Sequence, residues 1–281
     1  MIVKSNSQLE KIKIAGHINA FTLEILKKLT LENYKKLNAN ILDEIAYKII
    51  ITLGGKPSFK NYKPPFSHLA YPYSITLSIN EEIVHGLPLK TKTFKESDII
   101  SIDCGTYYQG YHVDSAISFS INGKKHKILE VCENSLYLAM EKIKHGVPIN
   151  EVGKTVENYV TSNGFKVIKQ LTGHGVGRSI HDEPEIPNFF IPAYNKKFFN
   201  NMLAAIEPMI SESTEEIEVL EDQWTIVTKD RSLSAHFEHT VLIQKDNCQI
   251  VTQIPQEIFN NFFQKTKHII TDSIKNLIDN E

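Results

Sequence analysis

The segment from Asp98 to Phe119, DIISIDCGTYYQGYHVDSAISF, carries two aspartates in β-prone runs on either side of a polar turn. This pattern predicts a β-hairpin. With Tyr108 and Gln109 as the loop residues, Asp103 pairs directly with Asp114. Opposed residues point to the same face with Cβ atoms roughly 4.5–5.5 Å apart. Two carboxylates at that distance repel each other unless a cation lies between them, so the hairpin predicts a metal site.

The second half of the chain contains further candidates for the same chemistry. His174 and His181 lie in one glycine-rich segment, and Glu207 and Glu238 each lie within an apolar, β-prone run. Two aspartates, two glutamates and a histidine form an oxygen-rich set that suits Mn, Fe or Co, with Zn also possible. Four carboxylates balance the charge of two divalent cations, and two metals ~3.5–4 Å apart can activate a bridging water. Packing in the core is the favoured interpretation of the histidines that flank these candidates, His112, His236 and His239.

Helices and strands alternate along the chain in a repeated order that would position these side chains. Hydrophobic periodicity predicts helices at 7–30, 41–53, 127–144, 150–163 and about 256–280, and strand-like runs at 74–86, 98–119, 203–210 and 234–244. The order helix, helix, strands occurs twice, which predicts two similar halves at about 1–122 and 123–250. Antiparallel strands with segregated helices favour an α+β fold, organised as a single catalytic domain over residues 1–281.

Composition narrows the functional classes. Of the 281 residues, 41% are hydrophobic and 23% are charged, which is typical of a globular protein with a sizeable core. The net charge of −2 gives no reason to expect DNA or an anionic membrane as partner. The chain has no run long and apolar enough to span a membrane. Three widely spaced cysteines, Cys104, Cys132 and Cys248, favour reduced thiols and a cytoplasmic location.

Five motifs occur in an order and at spacings that resemble methionine aminopeptidase of type I. They are SINEEIVHGLP, SIDCGTYYQGYHVDSA, GHGVGRSIHDEP, IEPMI and TKDRSLSAHFEHTV. The resemblance extends from the first helix to about residue 250. It implies the pita-bread fold, in which a curved antiparallel sheet carries two pairs of helices on its outer face, the two halves are related by a pseudo-twofold axis, and two metals lie inside.

The resemblance also implies roles for individual residues. It assigns metal ligation to Asp103, Asp114, His174, Glu207 and Glu238, with Asp114 and Glu238 shared between two divalent ions (Co, Mn, Fe or Zn). His85 would contact the substrate amine or the leaving group, His181 the scissile carbonyl, and Glu207 would carry the proton. The implied reaction removes the initiator methionine from nascent polypeptides, at the ribosome, by a monomeric enzyme.

The predicted pocket for the methionine side chain departs from the family pattern. The residues that the resemblance places around the substrate are His85, His181, Tyr71, Trp224, His68, Thr76 and Ile180. Tyr71 and Trp224 match the family. His68 stands where a tyrosine is usual, Thr76 where a cysteine is common, and Ile180 where a phenylalanine is common, so the shape of this pocket is expected to differ.

Two other functions are compatible with this fold. An X-Pro aminopeptidase or proline dipeptidase would use the same ligands, but such enzymes usually carry a large additional N-terminal domain, and about 80 residues precede His85. A non-catalytic binding homologue would have lost metal ligands, whereas all five are present. We therefore expect a metal-dependent aminopeptidase.

Overall fold

A computed structural model provides the structure of the protein and describes residues 1–64 and 69–279. The helices are α1 Asn6–Asn33, α2 Ala39–Thr52, α3 Lys127–Met140, α4 Asn150–Ser162 and α5 Gln256–Asp279. The strands are β1 Lys56–Pro57, β2 Thr76–Ile79, β3 Glu82–Val84, β4 Ile99–Tyr108, β5 Tyr111–Ser120, β6 Lys166–Val167, β7 Thr172–Gly175, β8 Asp182–Pro187, β9 Leu203–Ile206, β10 Met209–Ser211, β11 Ile217–Val219, β12 Ile226–Thr228, β13 Ser234–His236, β14 Glu238–Ile243 and β15 Cys248–Ile250. All the predicted helices are present.

A nine-stranded antiparallel sheet forms the centre of the molecule. Its main order is β1-β4-β5-β14-β9-β7-β8, with β2 paired to β4 and β15 paired to β14. Two smaller sheets, β13-β10-β6 and β11-β12-β3, flank it. The predicted strands at 203–210 and 234–244 are each interrupted, at Glu207-Pro208 and at Phe237. The architecture confirms the predicted α+β class.

The register of the β4–β5 hairpin differs from the predicted one. Its loop residues are Gln109 and Gly110, with φ of 43° and 100°, and Tyr108 pairs with Tyr111. Two consecutive positive φ values define a type I′ turn, whose twist matches that of the strands it joins. The predicted loop at Tyr108 and Gln109 is therefore wrong.

The corrected register changes how the two aspartates are related. Asp103 pairs with Ala116, and Asp114 pairs with Gly105, so the predicted direct pairing of the aspartates is wrong. Because residues two apart on a strand share a face, the aspartates remain diagonal neighbours on one face of the hairpin. The two carboxylates are therefore adjacent, as predicted, although the residues with which they pair differ from the predicted ones.

The two helix pairs pack on different parts of the strand framework. Helices α1 and α2 are capped by the residues that precede them, Ser5 and Asn38, whose side chains accept hydrogen bonds from the amides of Gln8 and Ile41. Helix α1 packs on β4 and β5, whereas α3 and α4 pack on each other and on β6, β8, β10 and β13. Each pair has its own hydrophobic cluster, represented by Phe21, Leu26, Ile45, Ile49 and Ile102 in the first half and by Cys132, Leu136, Val156, Ile206 and Val241 in the second. The pseudo-repeat and the single-domain organisation stay predictions.

Helix α5 follows the second half and returns to the first. It packs against α1 and α2, and the rings of Phe259 and Phe262 contact Phe21 edge-on at centroid distances of 4.9 and 5.7 Å. Such edge-to-face pairs add to the burial of apolar area. Within residues 1–64 and 69–279, no helix has the length and apolar character needed to cross a membrane.

Candidate active site

A cavity of about 320 Å³ collects most of the predicted functional residues from both halves of the chain. Ten of the predicted residues line it: Asp103, Asp114, His174, Glu207, Glu238, His85, His181, Tyr71, Thr76 and Trp224. Ile180 is not among the described lining residues; it is 2% exposed and packs in the cluster that contains Phe59, Tyr71 and Trp224. His68 lies outside the described residues. The cavity is the candidate active site.

Three neighbouring strands place an alanine between two of the carboxylates. Asp103 on β4 and Glu238 on β14 both pair with Ala116 of β5, so the three side chains form one row across the sheet. Asp114 lies two residues from Ala116 on the same face. Potential ligand oxygens of Asp103, Asp114 and Glu238 lie within 4.8 Å of one another. The row therefore brings Asp103, Asp114 and Glu238 close together on one face of the sheet.

Strand β9 supplies the fourth carboxylate. Glu207 follows Ile206 at the end of β9, and the strand breaks at Pro208 before β10 begins. On β7, His174 pairs with Ala205 of β9. The approach of these strands requires glycine at position 173, because a Cβ there would lie 2.5 Å from the Ala205 carbonyl oxygen. The glycine-rich segment thus allows β7 to approach β9 closely, which places His174 beside Glu207.

The four buried carboxylates lack the partners that buried acids normally have. Each has one buried oxygen without a hydrogen bond: Oδ1 of Asp103, Oδ1 of Asp114, Oε1 of Glu207 and Oε1 of Glu238. Buried polar atoms are rarely left unsatisfied, and an unfilled ligand position is one explanation for those that are. The donor set, four carboxylates and one imidazole, fits divalent metal ions of intermediate hardness.

Electrostatics agree with that fit. Burial raises the pKa of Asp103 to about 7. Burial, followed by the charges of neighbouring carboxylates, raises the pKa values of Asp114, Glu207 and Glu238 well above their usual range. Four ionised acids cannot share this space without compensating positive charge. The groups of described residues whose potential ligand atoms lie within 4.8 Å of one another include Asp103/Asp114/Glu238 and His174/Glu207/Glu238.

The ring of His174 is oriented as a metal ligand would be. Its Nδ1 lies 2.9 Å from the Gly175 carbonyl oxygen, which can only accept, so Nδ1 carries the hydrogen. Its Nε2 therefore has a free lone pair and lies 3.3 Å from Glu207 Oε1. Burial lowers the pKa of His174 to about 3, which favours the neutral imidazole that metals bind.

The two predicted catalytic histidines, His85 and His181, both line the cavity but differ in exposure. His85 has φ of 59°, and the adjacent Gly86 packs closely on the Leu77 carbonyl group. Burial and the proximity of His181 lower the pKa of His85 to about 4. His181 is exposed, and its ring contacts that of His174 edge-on at a centroid distance of 4.5 Å. One histidine is thus fixed in a turn and the other borders the solvent-accessible side.

Aromatic rings form the apolar wall. Tyr71 and Trp224 pack edge to face, with ring centroids 5.1 Å apart. The Tyr71 hydroxyl group lies 2.9 Å from the Ile75 carbonyl oxygen and 3.2 Å from that of Gly86, so it joins the residue before β2 to the turn that contains His85. Tyr71 therefore contributes its ring to the wall and its hydroxyl group to the position of the turn.

The structure adds the lining residues Phe59 and Tyr62, which sequence reasoning missed, and His236, for which it favoured packing in the core. His236 is 2% exposed, and its Nε2 lies 3.7 Å from Glu207 Oε2 without a hydrogen bond. The two-residue spacing to Glu238 was a usable signal, because it is the spacing of side chains on one face of a strand. Tyr62 carried no periodic signal, since it lies in an irregular loop. Its presence supplies the cavity with a second tyrosine besides Tyr71.

Comparison with known proteins defines the class. The model of metallopeptidase family M24 matches residues 10–245. The chain belongs to this family of metal-dependent hydrolases, and within it to the group of methionine aminopeptidases. It is 44% identical over 257 residues to the methionine aminopeptidase of Aquifex aeolicus, covering 89% of this chain and 98% of that protein. It is 37% identical over 257 residues to methionine aminopeptidase 1 of Bacillus subtilis, covering 90% and 100%.

Solved structures give the same assignment of fold. The crystal structure of methionine aminopeptidase from Thermotoga maritima matches with a TM-score of 0.81 and 38% identity, covering 90% of this chain and all of that one. The prolidase of Pyrococcus furiosus matches with a TM-score of 0.70 and 18% identity, and only 66% of its chain is covered. The second likeness extends to the fold alone. Together they confirm the predicted pita-bread fold.

Proposed function

We propose that this protein hydrolyses the first peptide bond of chains that begin with methionine. The observation that carries the proposal is the convergence of four buried carboxylates and His174 on one cavity, with an unpaired oxygen on each carboxylate. Methionine aminopeptidases of 37–44% identity support the choice of substrate. The aromatic wall formed by Tyr71 and Trp224 offers apolar contacts to an unbranched thioether side chain.

Two divalent metal ions are the proposed cofactors. Asp103 would bind one ion, His174 and Glu207 the other, and Asp114 and Glu238 would be shared. Glu238 belongs to both Asp103/Asp114/Glu238 and His174/Glu207/Glu238, and Asp114 belongs to the first of these and to Asp114/His174/His181, which supports a shared arrangement. When bound, such ions polarise a carbonyl group and lower the pKa of a bound water towards ~7. Co, Mn, Fe and Zn are all compatible with these ligands.

The remaining steps fall to side chains of this protein. Glu207 would accept the proton of the attacking water and pass it to the leaving amine. His181 would donate a hydrogen bond to the scissile carbonyl oxygen and stabilise the charge that develops there. His85 would contact the substrate amine or the leaving group from its turn. Tyr71, Trp224 and Thr76 would hold the methionine side chain, with Ile180 behind them and His68 as a further predicted contact.

A direct assay tests the reaction. Purified protein is incubated with Met-Ala-Ser and with X-Pro peptides in the presence of Mn, Fe, Co or Zn. We expect release of free methionine and no more than slow cleavage before proline, with the Glu238→Ala variant as the inactive control. Faster cleavage of X-Pro peptides would overturn the proposal in favour of the prolidase-like alternative, and binding without cleavage would favour a non-catalytic homologue.

Nascent polypeptides at the ribosome, a cytoplasmic location and a monomeric state complete the proposal. The ribosome and the monomeric state come from the resemblance to type I methionine aminopeptidases, and the location comes from the three widely spaced cysteines. Sedimentation of the protein with purified ribosomes, analytical ultracentrifugation and cell fractionation test these three points separately.

A further inference from the structure

Tyr62 contacts one of the two proposed catalytic histidines. Its hydroxyl oxygen lies 2.9 Å from Nδ1 of His181, and the two rings are 5.1 Å apart between centroids. Both residues line the cavity. The contact joins two segments far apart in sequence, the loop after β1 and the segment before β8.

The backbone holds Tyr62 in place for this contact. The Tyr62 carbonyl oxygen accepts a hydrogen bond of 2.8 Å from the Tyr71 amide, and the Tyr62 amide donates to the Phe59 carbonyl oxygen at 2.8 Å. The backbone amide of the adjacent Asn61 donates to the Tyr71 carbonyl oxygen at 2.7 Å. Tyr71 is itself fixed by the hydrogen bonds of its hydroxyl group. Backbone hydrogen bonds thus hold the loop that carries the Tyr62 phenol. His181, by contrast, is exposed.

A neutral histidine has two tautomers, and only one suits the role proposed for His181. A histidine that donates to a substrate carbonyl through Nε2 must carry its hydrogen there, which leaves Nδ1 as an acceptor. A phenol can donate to that acceptor. We propose that Tyr62 is a positioning residue, whose hydroxyl group donates to Nδ1 of His181 and thereby holds the imidazole with Nε2–H available to the substrate carbonyl.

The surroundings of Tyr62 suit a donor. Burial raises the pKa of its hydroxyl group above the usual value, so the phenol keeps its proton. Without the hydroxyl group, Nδ1 would lose its partner, and His181 would be free to adopt the other tautomer or to turn away. The inference rests on the proposed function of His181 and adds a residue that acts through it.

A double-mutant cycle tests the kinetic consequence. Tyr62→Phe keeps the ring and removes the hydroxyl group, and we expect kcat to fall about tenfold with KM changed by less than about twofold, as for loss of one hydrogen bond that matters in the transition state. In a His181→Ala background, Tyr62→Phe should cause no further loss. Tyr73→Phe, a change in the same loop at a residue that is not among those described as lining the cavity, is the matched control. Equal losses in both backgrounds, or no loss in either, would overturn the proposal.

The tautomer itself can be observed without any assay of activity. In the ¹⁵N-labelled, zinc-loaded protein, we expect the His181 imidazole to show a protonated Nε2 and an unprotonated Nδ1, and Tyr62→Phe to populate the other tautomer. A protonated Nδ1 in the unchanged protein would mean that Tyr62 accepts rather than donates, which contradicts the proposal. Because this measurement is independent of peptide cleavage, failure of the inference is distinguishable from failure of the proposed function.

Discussion

Asp103 and Glu238 face the same small side chain, Ala116, from the strands on either side of it. This row across β4, β5 and β14 places one acid on each side of a methyl group. With Asp114 two residues along β5, three carboxylates lie close together on one face of the sheet. Such an arrangement is unfavourable without a cation, and it explains why one oxygen of each of these acids lacks a partner.

Removal of Glu238 should therefore weaken metal binding and abolish catalysis. We expect Glu238→Ala to lose at least one metal ion per chain and to lower kcat/KM by about 10³-fold or more, since activation of the attacking water depends on the bound metal. Metal content by mass spectrometry and cleavage of Met-Ala-Ser provide the two readouts. Glu218→Ala, at an exposed acid paired with Arg231, should change neither. Full activity of metal-free Glu238→Ala protein would contradict the mechanism.

The two histidines whose rings touch should separate metal binding from catalysis. His174→Ala removes a predicted ligand and should reduce metal content. His181→Ala should retain both ions and lower kcat about 10²-fold, the usual cost of one donor to a developing oxyanion. Isothermal titration calorimetry with Mn or Co, together with steady-state kinetics, measures both effects. Loss of both metals in His181→Ala would refute this division of roles.

Metal binding should release protons and weaken as the pH falls. Burial raises the pKa of Asp103 from 3.8 to about 7, and metal binds the ionised form. In the metal-free protein, the stabilisation from this shift is fully present below the unfolded pKa and is lost as pH rises through about 7. Adding metal should reverse this pH dependence of stability above pH 7. Calorimetry in buffers of different ionisation enthalpy counts the protons that metal binding releases. Release of no protons at pH 6 would contradict this prediction.

Gly86 lies in the turn that contains His85, and the backbone of Leu77 approaches it too closely to leave space for a side chain. A Cβ at this position would lie 2.3 Å from the Leu77 carbonyl oxygen. We expect Gly86→Ala to lower the free energy of unfolding by about 3 kcal/mol, a typical upper cost of overpacking, and to reduce activity by displacing His85. Gly123→Ala is the control: φ is +69° and no atom lies within 4 Å, so only about 1 kcal/mol of backbone strain is expected. Urea denaturation compares the free energies of unfolding of the two variants. Equally small losses of stability would contradict the prediction, because they would show that Leu77 moves aside.

The sequence by itself determined the ligand types, the helices and the existence of the hairpin. Periodicity reports local structure reliably, because each helix or strand must bury one face. A buried acid within an apolar run also signals chemistry, because it is costly without a partner. For these reasons residue type and spacing are enough to single out Asp103, Asp114, Glu207 and Glu238, and all four line one cavity.

Only the tertiary structure decided how these groups meet. The hairpin register depends on the positive φ values of Gln109 and Gly110, and a different loop position pairs each aspartate with a different residue. The row through Ala116, the contact of His236 with Glu207 and the hydrogen bond between Tyr62 and His181 all join residues distant in sequence. No local pattern encodes such contacts, because they arise from the packing of strands and loops that the chain brings together only when folded.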